Sequence, residues 1–174
     1  MQHLKHLLAI LVVPALAFCQ SPGDKTQARL VKEVGHELRM LPYYTVFDDL
    51  AYKVNGSAVT LLGAVTKPTL KSDAERVVKS IEGVQTVNNQ IEVLPLSPND
   101  DRIRIAVYRT LASKPGIDRY FRQAIPSIHI IVNNGNVALM GIVDNQGDKD
   151  RANIYASGVP GVFKVVNNLQ VIKA

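Results

Sequence analysis

Slid forward by 78 positions, the segment Val54–Leu94 lies on Val132–Ile172 without a gap. Val54, Asn55, Val59, Leu61, Gly63 and Val65 coincide with Val132, Asn133, Val137, Leu139, Gly141 and Val143. Further on, Ala74, Gly83, Val84, Val87, Asn89 and Val93 meet Ala152, Gly161, Val162, Val165, Asn167 and Val171. Matched glycines and valines are what a duplicated fold requires, with backbone turns and β-branched core residues at fixed points. A period this long predicts two small domains and not a solenoid of short repeats.

Length and composition agree with that division. The 174 residues are 47% hydrophobic and 20% charged, which is a globular balance. Halves of roughly 70 to 75 residues lie near the lower size limit for independent folding. With no tryptophan, the cores must be built from Val, Ile, Leu and Ala.

Residues 1–19 differ in kind. His3, Lys5 and His6 form a short positive region, and Leu7–Phe18 is an apolar run interrupted by Pro14. Such a run is too short to span a bilayer, which needs about 20 residues, so residues 1–19 read as a signal peptide and the chain as exported. Cleavage after Ala17 fits the small-x-small rule, and cleavage after Cys19 is the alternative. Acylation of Cys19 is a further route, disfavoured because bulky Phe18 precedes it. Cys19 is the sole cysteine, so no disulfide forms within one chain. Removing Lys5 from the formal +5 leaves about +4 on the mature chain, a balance that favours anionic partners. Export argues against nucleic acid.

Along the remainder, Thr26–Leu41 reads as an amphipathic helix with Leu30, Val34, Leu38 and Leu41 on one face. Asn55-Gly56 signals a tight hairpin, and Val59, Leu61, Gly63 and Val65 alternate along the returning strand. Thr66 is the expected N-cap of a helix carrying Leu70, Ala74, Val77, Val78 and Ile81, with Gly83 as its C′ residue. A third strand spans Val84–Leu94, and Pro95–Asn99 is the linker.

The second copy repeats the order. It has a helix at Asp100–Ser113, strands at Ile128–Val132 and Asn136–Val143, a helix at Asn145–Gly158 and a strand at Val162–Ile172. The fold class is therefore α+β, with two α-β-β-α-β units over residues 26–95 and 100–174. Each is expected to be a three-stranded mixed sheet with helices packed against it. Asp148 replaces Leu70 and Pro160 replaces Glu82, so the middle helix of the second copy is expected to start later and pack less well.

Chemistry-bearing constellations are scarce. His36 and His129 are the only histidines after the leader and sit in different copies, without metal-ligand spacing. No nucleophile elbow, phosphate loop or dinucleotide fingerprint occurs. Asp48-Asp49 and the Asp148/Asp150 pair stand at strand or helix starts, where a carboxylate caps a turn or complements the helix dipole. The reading is a protein that is not an enzyme and uses neither cofactor nor metal.

Val59-Thr-Leu-Leu-Gly63-x-Val65 followed by Gly83-Val84-x-x-Val87-x-Asn89 resembles the BON domain of bacterial envelope proteins. Val137-Ala-Leu-Met-Gly141-x-Val143 followed by Gly161-Val162-x-x-Val165-x-Asn167 resembles it again. The resemblance covers nearly all of the mature chain. It implies a periplasmic protein, peripheral on a membrane, that binds phospholipid and protects the envelope under stress. The alternative reading is a periplasmic protein-interaction or chaperone-like module that uses exposed sheet surface and the groove between domains, with envelope proteins as partners. Gly63, Gly83, Gly141 and Gly161 read as structural glycines; Gly63 inside a strand marks a bulge or a close approach by the neighbouring helix, and Gly63 and Gly141 read as strand glycines that face a helix.

The loop after the second copy's first helix is about five residues longer than its counterpart. It sets Lys114, Arg119 and Arg122 beside Tyr120 and Phe121. Arginine and lysine pair with lipid phosphates while aromatic rings lodge at head-group level, so these five residues are the candidate lipid contacts. The alternative is that the two rings fold back onto a small core and the arginines are solvated. Tyr43 and Tyr44 occupy the equivalent place in the first copy with less charge around them.

Overall fold

The computed structural model describes residues 22–172. The first copy consists of α1 (Pro22–Arg39), β1 (Asp49–Asn55), β2 (Ala58–Val65), α2 (Pro68–Lys79), β3 (Thr86–Asn89) and β4 (Glu92–Val93). Strand β2 is central, antiparallel to β1 and parallel to both β3 and β4. Leu30, Val34 and Leu38 of α1 meet Leu70, Ala74 and Val78 of α2 over Val59, Leu61 and Val65 in one buried cluster. The second copy follows with α3 (Pro98–Ala112), a 3-10 turn (Asp118–Phe121), β5 (Ile128–Asn133), β6 (Asn136–Val143), α4 (Gln146–Ser157), β7 (Lys164–Asn167) and β8 (Gln170–Val171). Its sheet has the same mixed pairing around β6.

In both copies the leading helix clasps the hairpin turn through side chains. Gln27 does this alone, donating to the Val54 carbonyl at 2.7 Å and accepting from the Gly56 amide at 3.1 Å. The second copy divides the task. Buried Asp100 accepts from the Asn134 and Gly135 amides, both at 2.9 Å, and buried Arg104 donates to the Val132 carbonyl at 2.7 Å. Each turn thus has its amides satisfied from outside the sheet.

Four expectations are corrected. The third strand of each copy is interrupted, because Asn89 and Asn167 turn inward. Their side-chain amides donate to the Lys71 and Lys149 carbonyls at 2.9 and 2.8 Å, and their oxygens accept from the amide two residues on. Gly83 stands three residues beyond the Ser80 C-cap, not at C′. With φ +94° it makes the turn into β3 beside Leu30, as Gly161 (φ +91°) does beside Ile103. Thr66 does not cap α2, whose N-cap is Lys67 without a side-chain bond; its amide and hydroxyl instead donate to Asp48 at 2.7 and 2.8 Å. Finally, Gly63 and Gly141 do not face a helix. At φ +109° and +114°, a Cβ built on either would overlap a backbone oxygen on the segment across the hairpin, that of Asp49 or Ser127.

The expected late start of α4 is also overturned. Asn145 caps the helix by accepting from the Asp148 amide at 2.9 Å, and α4 begins at the position equivalent to the start of α2. Asp148 is wholly buried where the first copy has Leu70. The Tyr120 hydroxyl donates to it at 2.6 Å, the Asn145 amide at 3.0 Å, and Arg119 and Arg151 pair with it. Burial alone would raise its pKa, but the Tyr120 hydroxyl, Arg151 and Arg119 outweigh that and hold the carboxyl below its ordinary range.

Two predictions follow from this packing. Gly63→Ala and Gly141→Ala each combine a backbone overlap with a disfavoured φ, effects worth about 1–3 kcal/mol apiece. Urea titration of the full chain should show a lower midpoint for each variant; unchanged midpoints would contradict the geometry. For Asp148, a depressed carboxyl contributes stability that is complete above the unfolded value of about 3.9 and is lost as pH falls through the lower folded value. Asp148→Ala leaves the Tyr120 hydroxyl without its acceptor, at about 1–3 kcal/mol near neutral pH, and the deficit should shrink in strong acid. Melting midpoints of both proteins from pH 7 to pH 2 measure this.

Candidate functional site

The segment between α1 and β1 crosses to the other copy. Asp48, fully buried, accepts from the amide and hydroxyl of Thr45 at 3.0 and 2.7 Å, besides its two bonds from Thr66. This ties residues 45–48 into a rigid turn. The Val46 carbonyl then accepts from the Ile130 amide of β5 at 2.8 Å, and Val46 and Phe47 pack against the core of the second copy. Tyr44 stacks on His129 with ring centroids 5.4 Å apart. Phe47 meets Tyr108 edge-on at 6.2 Å, and Tyr108 meets Phe121 edge-on at 5.6 Å. Such edge-to-face pairs each add about 0.5–1.5 kcal/mol beyond their buried area.

A difference between the leading helices sets up this seam. In the first copy Gly35 leaves room for the Tyr52 hydroxyl, which donates to the Val31 carbonyl at 2.8 Å; a Cβ at Gly35 would overlap it. In the second copy Tyr108 of α3, half-buried against the core, meets Phe47.

Two adjoining troughs flank the seam. The larger, about 600 Å³, has Tyr44, Phe47, Ile105, Tyr108 and Phe121 on its walls with Arg109 among them. The smaller, about 430 Å³, holds Arg39, Asp49 and His129 beside Leu50 and Ile142. Both share Tyr44, Gln123 and Pro126. Burial raises the Asp49 carboxyl pKa, an effect His129 opposes, and burial likewise raises that of the Tyr44 hydroxyl, with Asp49 adding to it. His129 is itself buried, and its Nδ1 has no hydrogen-bond partner. Among the described residues neither Arg39 nor Arg109 forms an ion pair.

The five loop residues singled out by sequence are separated by this geometry. Tyr120 and Phe121 are 5% and 8% exposed, so the rings fold back onto the core and do not stand at the surface as a lipid anchor would. The arginines are paired and not merely solvated: Arg119 bridges Asp144 (2.8 Å) and Asp148, and Arg122 pairs with Asp118. Lys114 lies over the Tyr155 ring at 5.2 Å. The Tyr120 hydroxyl also accepts from the Asp144 amide at 3.0 Å, the service Asp48 renders to Thr66 in the first copy. Of the five, only Phe121 reaches the larger trough. The loop's extra length matters elsewhere, since Gln123 to Pro126 forms a wall of both troughs. Ile105, Arg109 and Arg39 escaped attention because each looks like an ordinary helix-surface residue until the copies are docked.

His36 is exposed on α1, and no group of three or more His, Asp or Glu side chains converges as a metal site among the described residues. No helix among them is long and apolar enough to cross a membrane. The expected signal peptide, residues 1–19 with Cys19, lies outside the described residues.

Comparison with known proteins agrees with the duplicated architecture. The BON domain matches residues 48–95 and again 99–173. The chain is 31% identical over 124 residues to Osmotically-inducible protein Y of Escherichia coli (strain K12). That match covers 70% of this chain and 61% of the relative, so the chain spans less than two thirds of the relative's length. Among solved structures, the C-terminal domain of CdsD, the structural protein of the type III secretion system of Chlamydia trachomatis, overlaps 84% of this chain and 99% of its own. There the sequence identity is 13% and the TM-score 0.30. Two matched spans covering most of the folded chain establish that this protein belongs to the BON domain family.

Proposed function

We propose that this chain is an exported, non-enzymatic protein of the bacterial envelope that binds anionic phospholipid and supports the envelope under osmotic stress. The stress setting is supported by similarity to a protein described as osmotically inducible. Export to the periplasm is supported by the leader-like residues 1–19. The observation that carries the lipid reading is the seam, where Arg39 and Arg109 stand without carboxylate partners beside aromatic and aliphatic walls. Most other arginines have an acidic neighbour: Arg29, Arg76, Arg104, Arg119, Arg122 and Arg151 each pair with a carboxylate. A cation with no internal partner, next to apolar surface, suits a phosphate carried on an apolar body.

One observation favours a second reading, that of a protein-interaction module. The open face of the second sheet carries Ile142 and Val166, 49% and 40% exposed, where the first sheet has polar Asn88 and half-buried Ala64. Exposed apolar surface of this kind marks contact sites when it is contiguous.

Co-sedimentation with liposomes tests the proposal. The protein should pellet with phosphatidylglycerol vesicles, far less with phosphatidylcholine, and progressively less as salt rises. Each basic residue near an anionic surface contributes about 1 kcal/mol, so Arg39→Gln/Arg109→Gln should weaken binding roughly thirtyfold. Lys114→Ala/Arg122→Ala, whose cations are engaged within the fold, should bind nearly as the parent does. The reverse pattern would return the site to the Lys114–Arg122 loop. A parent protein that ignores every vesicle would favour the interaction module.

A further inference from the structure

We infer that the larger trough is a binding site for a single acyl chain bearing one anionic head group, such as a lysophospholipid or a fatty acid released from the bilayer. This rests on the lipid reading above and adds a specific ligand class to it.

The shape of the seam is the first reason. At about 600 Å³ the trough lies within the range of small-ligand sites, about 300–1,000 Å³. Its lining includes Phe121, which is only 8% exposed, beside the Tyr44–Phe47 segment and Gln123, Ala124 and Pro126. A flat bilayer cannot bring its surface onto a ring so little exposed. One chain that has left the bilayer can lie along it, against Ile105, Tyr108 and Phe47.

Charge complementarity is the second reason. Arg109 belongs to the same trough and has no acidic partner among the described residues, so an anionic head group would give the guanidinium its counter-charge. The neighbouring trough is a poorer place for that anion, since Asp49 sits in it and burial already disfavours its charge. The tail therefore belongs in the larger trough and the head group at Arg109. Desolvating an acyl chain against aromatic and aliphatic walls stabilises it there.

The test uses the full mature chain and a dansyl-labelled undecanoate below its critical micelle concentration. The chain's lack of tryptophan makes the dansyl signal easy to read. Saturable one-to-one binding is expected, displaced by palmitate and by palmitoyl lysophosphatidylglycerol, and at least tenfold less readily by uncharged monopalmitin. Ile105→Glu, at a surface position 43% exposed, places a carboxylate against the tail and should weaken the probe at least tenfold; Arg109→Gln should weaken it about fivefold. Circular dichroism melts confirm that both variants are folded. Saturable binding unaffected by either variant would overturn this placement. Absence of saturable probe binding, with phosphatidylglycerol vesicles still bound, would overturn the single-chain site alone. Loss of both in the parent protein would overturn the lipid reading with it.

Discussion

The relation between the two copies depends on the carboxylate of Asp48. It is fully buried and takes four hydrogen bonds, two from Thr45 and two from Thr66. Buried carboxyl oxygens are tolerable only when hydrogen-bonded in this way. Those bonds hold residues 45–48 in one shape, and that shape aims the Val46 carbonyl at Ile130 and the Phe47 ring at Tyr108. Beyond that turn, the copies meet through the linker, the Tyr44–His129 stack and the contact of Asn133 with Glu92.

The duplicated halves solve the same geometric problems with different chemistry. The amide at the end of the second strand is bound by a carboxylate in one copy, Asp48, and by a phenol in the other, Tyr120. The hairpin turn is held by one amide side chain in the first copy and by an acid and a guanidinium in the second. Leu70 and Asp148 share a position, yet Asp148 remains buried because the longer loop brings Tyr120 and Arg119 to it. A replacement that would be destructive alone is accommodated when its partners change too.

This accounting also shapes the surface. A cation beside a carboxylate adds less to attraction at a distance than one without such a neighbour, and Arg39 and Arg109 stand at the seam without one. The seam is made by docking, from residues of α1, the 43–48 segment, α3 and the long loop, so neither copy holds it alone. Binding there would accordingly be sensitive to how the copies are held together, and would report on the Asp48 turn at a distance from it.

Read in order, the residues determined the duplication, the α-β-β-α-β sequence of elements and most core positions. The reason is local: β-branched alternation, helical spacing and turn glycines act over a few neighbours and so leave a periodic trace. The Asn89 and Asn167 breaks were not legible, because an asparagine that turns inward to a helix carbonyl looks like any surface asparagine in a strand. Gly63 and Gly141 were legible as necessary glycines but not in their cause, since the overlap is with a carbonyl across the hairpin. The tertiary structure alone decided the fate of the Lys114–Arg122 loop, where five eye-catching side chains were taken up by Asp148, Asp118, Tyr155 and the core. It also decided the seam, whose arginines and aromatic rings lie far apart along the chain. Charge pairing and ring contacts are set by distances in space, and those exist only once the two copies have packed.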